Sequence, residues 1–289
     1  MNIIKPKFLK SGDTVAIVAP SGALDKEKFL VGIRNFENLG FKTIYSDRIF
    51  DKKRYLAGQD ENKIQELEYY FEDTKIDGII CARGGYGAIR LIKNINYDII
   101  RQNPKFFGGY SDITALQLMF LKHAGLVTYT SPMIQSDFGC DVVSDFTVKS
   151  FINCENNPVI DCENIVPGNV EAVLWGGNLS TIVSMCGVDF LPDEDFIFFA
   201  EDISEPVYKI DKMFRQLLNI DVFRKNVKGI IFGEFSNVDN NEYLKDFIIE
   251  ISQELGVPSV QNLKITHSAD KLTLPIGGFA KIYDSKLFL

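Results

Sequence analysis

"KFFGGYSDITALQLMFLKHAG", residues 105–125, carries an apolar run through a Gly-rich corner directly into a run with helical spacing. Phe106 and Phe107 read as the end of a short strand, and the residues from Asp112 onward read as a helix. Ser111 sits between them. A corner of this kind holds its middle residue tight and exposed, and the first turn of the helix aims unpaired N–H groups at whatever lies there. Ser111 is therefore a candidate nucleophile, with the N–H of Asp112 available to a developing oxyanion. The plainer alternative is that Ser111 or Asp112 only caps the helix.

The same alternation extends to both sides. TVAIVAP (14–20) is a short strand ending at Pro-Ser-Gly. KEKFLVGIRNFENLG (26–40) places Phe29, Leu30, Ile33, Phe36 and Leu39 at helical spacing and closes on Gly40. FKTIYSD reads as a strand, NKIQELEYYFED (62–73) as an amphipathic helix, DGIICARGG (77–85) as a strand breaking into a Gly-rich turn, and GAIRLIKNI as the next helix. LVTYTSPM follows the helix of the opening stretch. Strands separated by helices of roughly 10–15 residues imply βαβ crossovers and a parallel sheet. The expected fold class is α/β, with a flavodoxin-like or Rossmann-like parallel-sheet domain over residues 1–144. The pattern weakens near Asn-Asn-Pro and Pro-Gly, so 145–168 is expected to be a linker with one short helix. Residues 169–289, with VEAVLWGGNLSTIVSMCG, FIFFAEDIS, VYKIDKMFRQLLNI, VKGIIFGEF and NEYLKDFIIEISQELG, read as a smaller mixed α/β domain.

Composition narrows the function classes. The chain has 289 residues and 46% apolar content, enough for a large core. A net charge of −8 offers no basic excess to neutralise phosphates, which argues against nucleic acid as a partner. No apolar stretch approaches the ~20 residues of a membrane span, and the early lysines of MNIIKPKFLKSGDT precede no apolar run. A cytoplasmic protein without membrane contact is the expectation. Cys81, Cys140, Cys154, Cys162 and Cys186 form no C-x-x-C pair and are odd in number, which fits reduced thiols. With two histidines, His123 and His267, a His-rich metal centre is not expected.

The same scarcity directs the search for a base. His123 lies twelve residues beyond Ser111 on one helix, hence roughly 18 Å away at ~1.5 Å per residue, and is out of reach. His267, in KITHSADKLTLPIGG, is left by elimination. The acid that orients it is sought in FIFFAEDISEP, where Glu201 ends an apolar run and Asp202 is the alternative. Adjacent strand residues point to opposite faces, so one of the two faces the site. ARGGYG (82–87) is a second Gly-rich corner, whose N–H groups could complete an oxyanion hole and whose Arg83 could pair with a carboxylate. WGGNLS (175–180) is a third, with a turn into a helix as its plain meaning. Arg83, Gly84 and Trp175 are the candidates for substrate binding.

GDTVAIVAPSG, ICARGGYG, GGYSDITAL, WGGNLSTI, AEDISEPVYKIDKMFRQL and THSADKLTLPIGG together resemble the LD-carboxypeptidase family of serine peptidases, which includes microcin-immunity peptidases. The resemblance runs from about residue 10 to about 283. It implies a Ser–Glu–His triad at Ser111, Glu201 and His267, and an oxyanion hole from the backbone N–H groups of Gly85 and Asp112. The nucleophile would come from the N-terminal domain and the other two from the C-terminal domain. The implied activity is hydrolysis of an L–D peptide bond that releases the terminal D-alanine of murein tetrapeptide in cell-wall recycling. No metal or organic cofactor is implied, and a homodimer is expected from the habit of relatives. Two other outcomes stay open: a microcin-type acyl-adenylate peptidase and an α/β-hydrolase-like esterase. The esterase would want G-x-S-x-G, whereas Ile113 stands two residues after Ser111.

Overall fold

The computed structural model describes residues 2–156 and 158–289. Five strands of the first half, β1 (Thr14–Val18), β2 (Lys42–Ile44), β3 (Gly78–Cys81), β4 (Phe106–Gly109) and β5 (Thr128–Thr130), run parallel in the order β2-β1-β3-β4-β5. This is the flavodoxin-like order, and the expected parallel sheet is what the chain forms. Strands β1, β3 and β4 are buried on both faces, so they read as continuous apolar runs rather than alternating ones, whereas the edge strand β2 is largely exposed. Helices Lys26–Glu37, Asp60–Glu72, Tyr97–Gln102 and Thr114–Met119 make the crossovers. The first begins where the Asp25 carboxylate accepts the Lys28 N–H at 3.1 Å. GAIRLIKNI departs from expectation. Only a 3₁₀ turn, Ala88–Arg90, forms there, and the helix starts at Tyr97, where Asn96 caps it.

The second sheet has eight strands: β6 (Val159–Asp161), β7 (Glu163–Val166), β8 (Val170–Asn178), β9 (Phe196–Ile203), β10 (Val227–Ser236), β11 (Ser259–Gln261), β13 (Phe279–Tyr283) and β14 (Lys286–Phe288). β12 (Leu274–Ile276) leaves this sheet and returns to the first, pairing antiparallel with β5. The centre of the second sheet, β8-β9-β10-β11, is parallel, and its flanks are antiparallel. Residues 145–168, expected to be mainly a connection, hold the helix Asp145–Ile152 and the edge strands β6 and β7. Their side chains are mostly exposed or half-buried, so they carry little apolar signal.

One apolar cluster runs from Ile79 and Leu116 under the first sheet to Trp175, Phe198 and Phe232 in the second. The halves also meet at backbone level. A Cβ on Gly177 would stand 2.5 Å from Thr114 Cγ2, so glycine is needed where β8 presses on the start of the Thr114 helix. The Asn178 N–H donates to Thr114 Oγ1 at 3.1 Å. That contact sets the second sheet directly against the corner that carries Ser111. No helix among the described residues is long and apolar enough to cross a membrane.

Candidate active site

The sheet order reverses between β1 and β3, and in open α/β sheets ligands settle in the crevice at the carboxyl ends of such strands. Three corners converge there: Pro20–Gly22 after β1, Ala82–Gly87 after β3, and Tyr110–Asp112 after β4. Ser111 has φ 63°, the left-handed region that costs a non-glycine residue roughly 1–2 kcal/mol. It opens a 3₁₀ turn, Ser111–Ile113, for which Tyr110 is the cap residue without a side-chain cap bond. Ser111 is therefore not spent as a helix cap, and it stays partly exposed.

What holds the strained corner is the Asp112 carboxylate. Its Oδ2 accepts from Ser21 Oγ at 2.6 Å and from the Ala88 N–H at 2.8 Å, which ties the three corners together. Burial raises the Asp112 pKa, against the lowering effect of these two bonds. Gly84 lies against the serine: a Cβ there would stand 3.0 Å from Ser111 Cβ and 3.1 Å from Oγ. The Gly84 carbonyl accepts from the Gly22 N–H and from Arg83 Nε, each at 3.2 Å. A trans peptide holds its N–H opposite its carbonyl, so the Gly85 N–H is turned away from Gly22. Gly85, at φ 113°, needs the freedom of glycine. Arg83 also donates to the Ala23 carbonyl at 3.2 Å. Its guanidinium thus braces backbone at the corner.

On the opposite wall, His267 Nδ1 lies 2.6 Å from Glu201 Oε2. Glu201 lies near the end of β9 at 4% exposure, with Gly233 of β10 leaving room beside its Cβ. Asp202 turns the other way, accepting from Asn178 Nδ2 at 3.0 Å and from the Ser180 N–H at 2.8 Å. Strand alternation thus separates the two acids, as expected. Burial works against the His267 imidazolium; the Glu201 hydrogen bond and charge, aided by Asp202, outweigh it and hold the pKa above the ordinary histidine value. The His267 ring meets the Tyr110 ring edge-on at 5.1 Å between centroids, which sets it beside the residue preceding Ser111. With Nδ1 on Glu201, Nε2 is the ring nitrogen not engaged by that carboxylate.

His123 lies elsewhere. It is in the π-turn Phe120–Ala124 that ends the Thr114 helix, 3.2 Å from the Asp189 carbonyl and against Tyr97. Trp175 is not brought to the crevice. Its ring is 1% exposed and packed among Phe190, Phe196, Phe198 and Phe223, because at this position β8 turns its side chain into the core.

The sequence reading missed the groups that hold the histidine loop. Helix Asp145–Ile152 presents Ser144, Thr147 and Ser150 to residues 269–273. Ser144 Oγ donates to Asp270, Thr147 Oγ1 donates to the Ala269 carbonyl and accepts the Lys271 N–H, and Ser150 Oγ accepts the Thr273 N–H. Three hydroxyls at every third position, sharing one helix face, were the available signal.

A hydroxyl on strained backbone at the carboxyl end of a parallel sheet, opposite a carboxylate-bound imidazole, is the arrangement of hydrolases that work through serine. Residues 15–131 match the LD-carboxypeptidase N-terminal domain and residues 171–282 the LD-carboxypeptidase C-terminal domain, so the chain belongs to the LD-carboxypeptidase family. It is 33% identical to the probable murein peptide carboxypeptidase of Bacillus subtilis strain 168, over 96% of this chain and 90% of that protein. The muramoyltetrapeptide carboxypeptidase structure from Oxalobacter formigenes superposes with a TM-score of 0.86 at 29% identity, covering 95% of this chain and 97% of the other. The MccF-like protein from Bacillus anthracis gives 0.91 at 27% identity, with 99% of each chain covered.

Proposed function

We propose that this carboxypeptidase cleaves the L–D bond of murein tetrapeptide through a Ser111–His267–Glu201 triad. The observation that carries the proposal is the 2.6 Å pair of Glu201 and His267 set beside the left-handed corner of Ser111. Ser111 Oγ attacks the carbonyl carbon of the L-centre, and His267 Nε2 takes the hydroxyl proton. The carbonyl oxygen becomes an oxyanion facing the N–H groups of Gly85 and Asp112, donors fixed before the reaction starts. Glu201 holds the Nδ1–H tautomer and stabilises the imidazolium. The imidazolium then gives its proton to the nitrogen of D-alanine, the C–N bond breaks, and the tripeptide remains as an ester on Ser111. Water, deprotonated by His267, attacks that ester, and the shortened peptide leaves with a new carboxylate.

Names of relatives in the family support murein peptide as the substrate class, and release of D-alanine would place the reaction in cell-wall recycling, within the cytoplasm. The test is product analysis by mass spectrometry with purified protein offered murein tetrapeptide, an aminoacyl adenylate and a simple ester. Tripeptide plus D-alanine is expected from the first, with slower turnover of the other two. Preferential cleavage of the adenylate would overturn the murein assignment in favour of a microcin-type peptidase. Preferential cleavage of the ester would point to an esterase.

A further inference from the structure

Lys271 and Asp137 form an ion pair at the seam between the halves. Lys271 Nζ lies 2.6 Å from Asp137 Oδ1, with side-chain exposures of 4% and 7%. The same ammonium donates to the Ser268 carbonyl at 2.7 Å and sits 4.6 Å above the centre of the Tyr110 ring. Asp137 accepts the Met133 N–H at 2.7 Å through Oδ2, while Oδ1 lies 3.4 Å from the Tyr110 hydroxyl. The lysine therefore grips three things at once: the segment after β5, the residue before Ser111, and the loop of His267. Burying two charges is costly, and replacing such a pair by apolar groups is often neutral or stabilising. A pair kept here, four residues beyond His267, needs a reason other than stability.

We propose that Lys271 is a positioning residue, which locks the His267 loop onto the Ser111 corner through Asp137 and Tyr110 and brings its positive charge to bear on the imidazole; this rests on the Ser111–His267 mechanism above. The charged and titratable groups around His267 are Glu201, which bonds it from β9, Asp202 on the far face of the same strand, Glu234 of β10 beside Ser268, Tyr110 from the nucleophile corner, and Lys271 with its partner Asp137. The carboxylates favour the imidazolium. The ammonium disfavours it, and so keeps the base unprotonated to lower pH.

The signs make the test specific. Lys271→Met removes a positive charge and leaves Asp137 negative, so the His267 titration midpoint rises. Asp137→Asn leaves the ammonium uncompensated, so the midpoint falls. Lys271→Arg keeps the charge and holds the midpoint. The chain has two histidines, so NMR titration of the ring C–H signals resolves them, with His123→Gln as the assignment control. The double variant Lys271→Met/Asp137→Asn leaves no orphaned buried charge and guards against unfolding of the single ones. With murein tetrapeptide, Lys271→Met is expected to lower kcat about 10–100-fold, the scale of a sub-ångström to ~1 Å misplacement, with a smaller change in KM. The low-pH limb of its rate profile should move upward with the NMR midpoint.

An unmoved His267 midpoint in both single variants, or midpoints moving the same way, overturns the proposal, as does a rate loss in Lys271→Met that only tracks unfolding. If the midpoints move as stated while Ser111→Ala retains activity, the coupling stands and the mechanism it was meant to serve fails.

Discussion

Gly84→Ala places a methyl group against the Ser111 hydroxyl without replacing any member of the proposed triad. Gly84 lacks a left-handed φ, so alanine adds no backbone strain there, and the whole effect lies in the contact. The new Cβ would stand 3.0 Å from Ser111 Cβ and 3.1 Å from Oγ, whereas ordinary contacts begin near 3.4 Å. Ser111 must therefore shift by about 0.3–0.4 Å. It has little freedom to do so harmlessly, because its backbone is held at φ 63° and Asp112 is tied to Ser21 and Ala88. If ~1 Å of misplacement costs ~100-fold, a shift of this size costs roughly four- to sixfold. The expected result is kcat for tetrapeptide hydrolysis reduced about fivefold and KM little changed. Tm should fall by no more than about 2–4 °C, the equivalent of ~1 kcal/mol at this size. Gly187→Ala is the control: its φ of 113° makes alanine strained, but nothing lies within 4 Å, so stability should drop and kcat should hold. Unchanged kcat in Gly84→Ala, measured beside an unchanged fold by circular dichroism, would refute the placement of the reacting hydroxyl next to Gly84.

The remaining expectations follow from the same geometry. Ser111→Gly relieves a left-handed non-glycine residue worth ~1–2 kcal/mol but adds ~0.5–1 kcal/mol of unfolded-state entropy, so urea unfolding should show a variant slightly more stable than the parent and inactive. Glu201→Gln is expected to lower kcat by on the order of 10³–10⁴ with the fold intact, because the amide cannot stabilise an imidazolium. Asp202→Asn instead turns one acceptor into a donor facing the donor of either Asn178 or Ser180, so its penalty of ~1–3 kcal/mol should appear in Tm, and a larger kcat loss there than at Glu201 would reverse the assignment. His267 is held above its ordinary pKa, so activity should fall as pH drops through that raised value and the base protonates. The stability linked to His267 has the complementary sign. It is fully present below the unfolded value of ~6.5 and lost as pH rises through the folded one, and His267→Ala should remove that slope from a pH series of melting curves.

Several of these residues could be read from the chain because their chemistry is local. The Ser111 corner is written in consecutive residues, Glu201 stands out as an acid after an apolar run, and strand alternation separates it from Asp202. His267 emerged by elimination, since the only other histidine is carried away by its helix. Trp175 was misleading because Gly176 and Gly177 look like a turn, whereas β8 runs through them to Asn178 with φ values of 152° and 147°. Residues 145–168 are weakly apolar, and their work is done by hydroxyls whose partners lie more than 120 residues away. The return of Leu274–Ile276 to the first sheet and the pairing of Asp137 with Lys271, 134 residues apart, are products of tertiary packing that no local pattern announces.

The central claim is that Ser111 forms a covalent acyl-enzyme with the L-centre of the substrate. Rapid acid quenching during turnover of murein tetrapeptide, followed by peptide mapping in a mass spectrometer, tests it most directly. The account predicts that the tryptic peptide spanning residues 106–122 gains the mass of the tripeptide acyl group, located on Ser111, and that Ser111→Ala abolishes both this adduct and the release of D-alanine. An adduct on any other residue, or D-alanine release at a normal rate by Ser111→Ala, would contradict it.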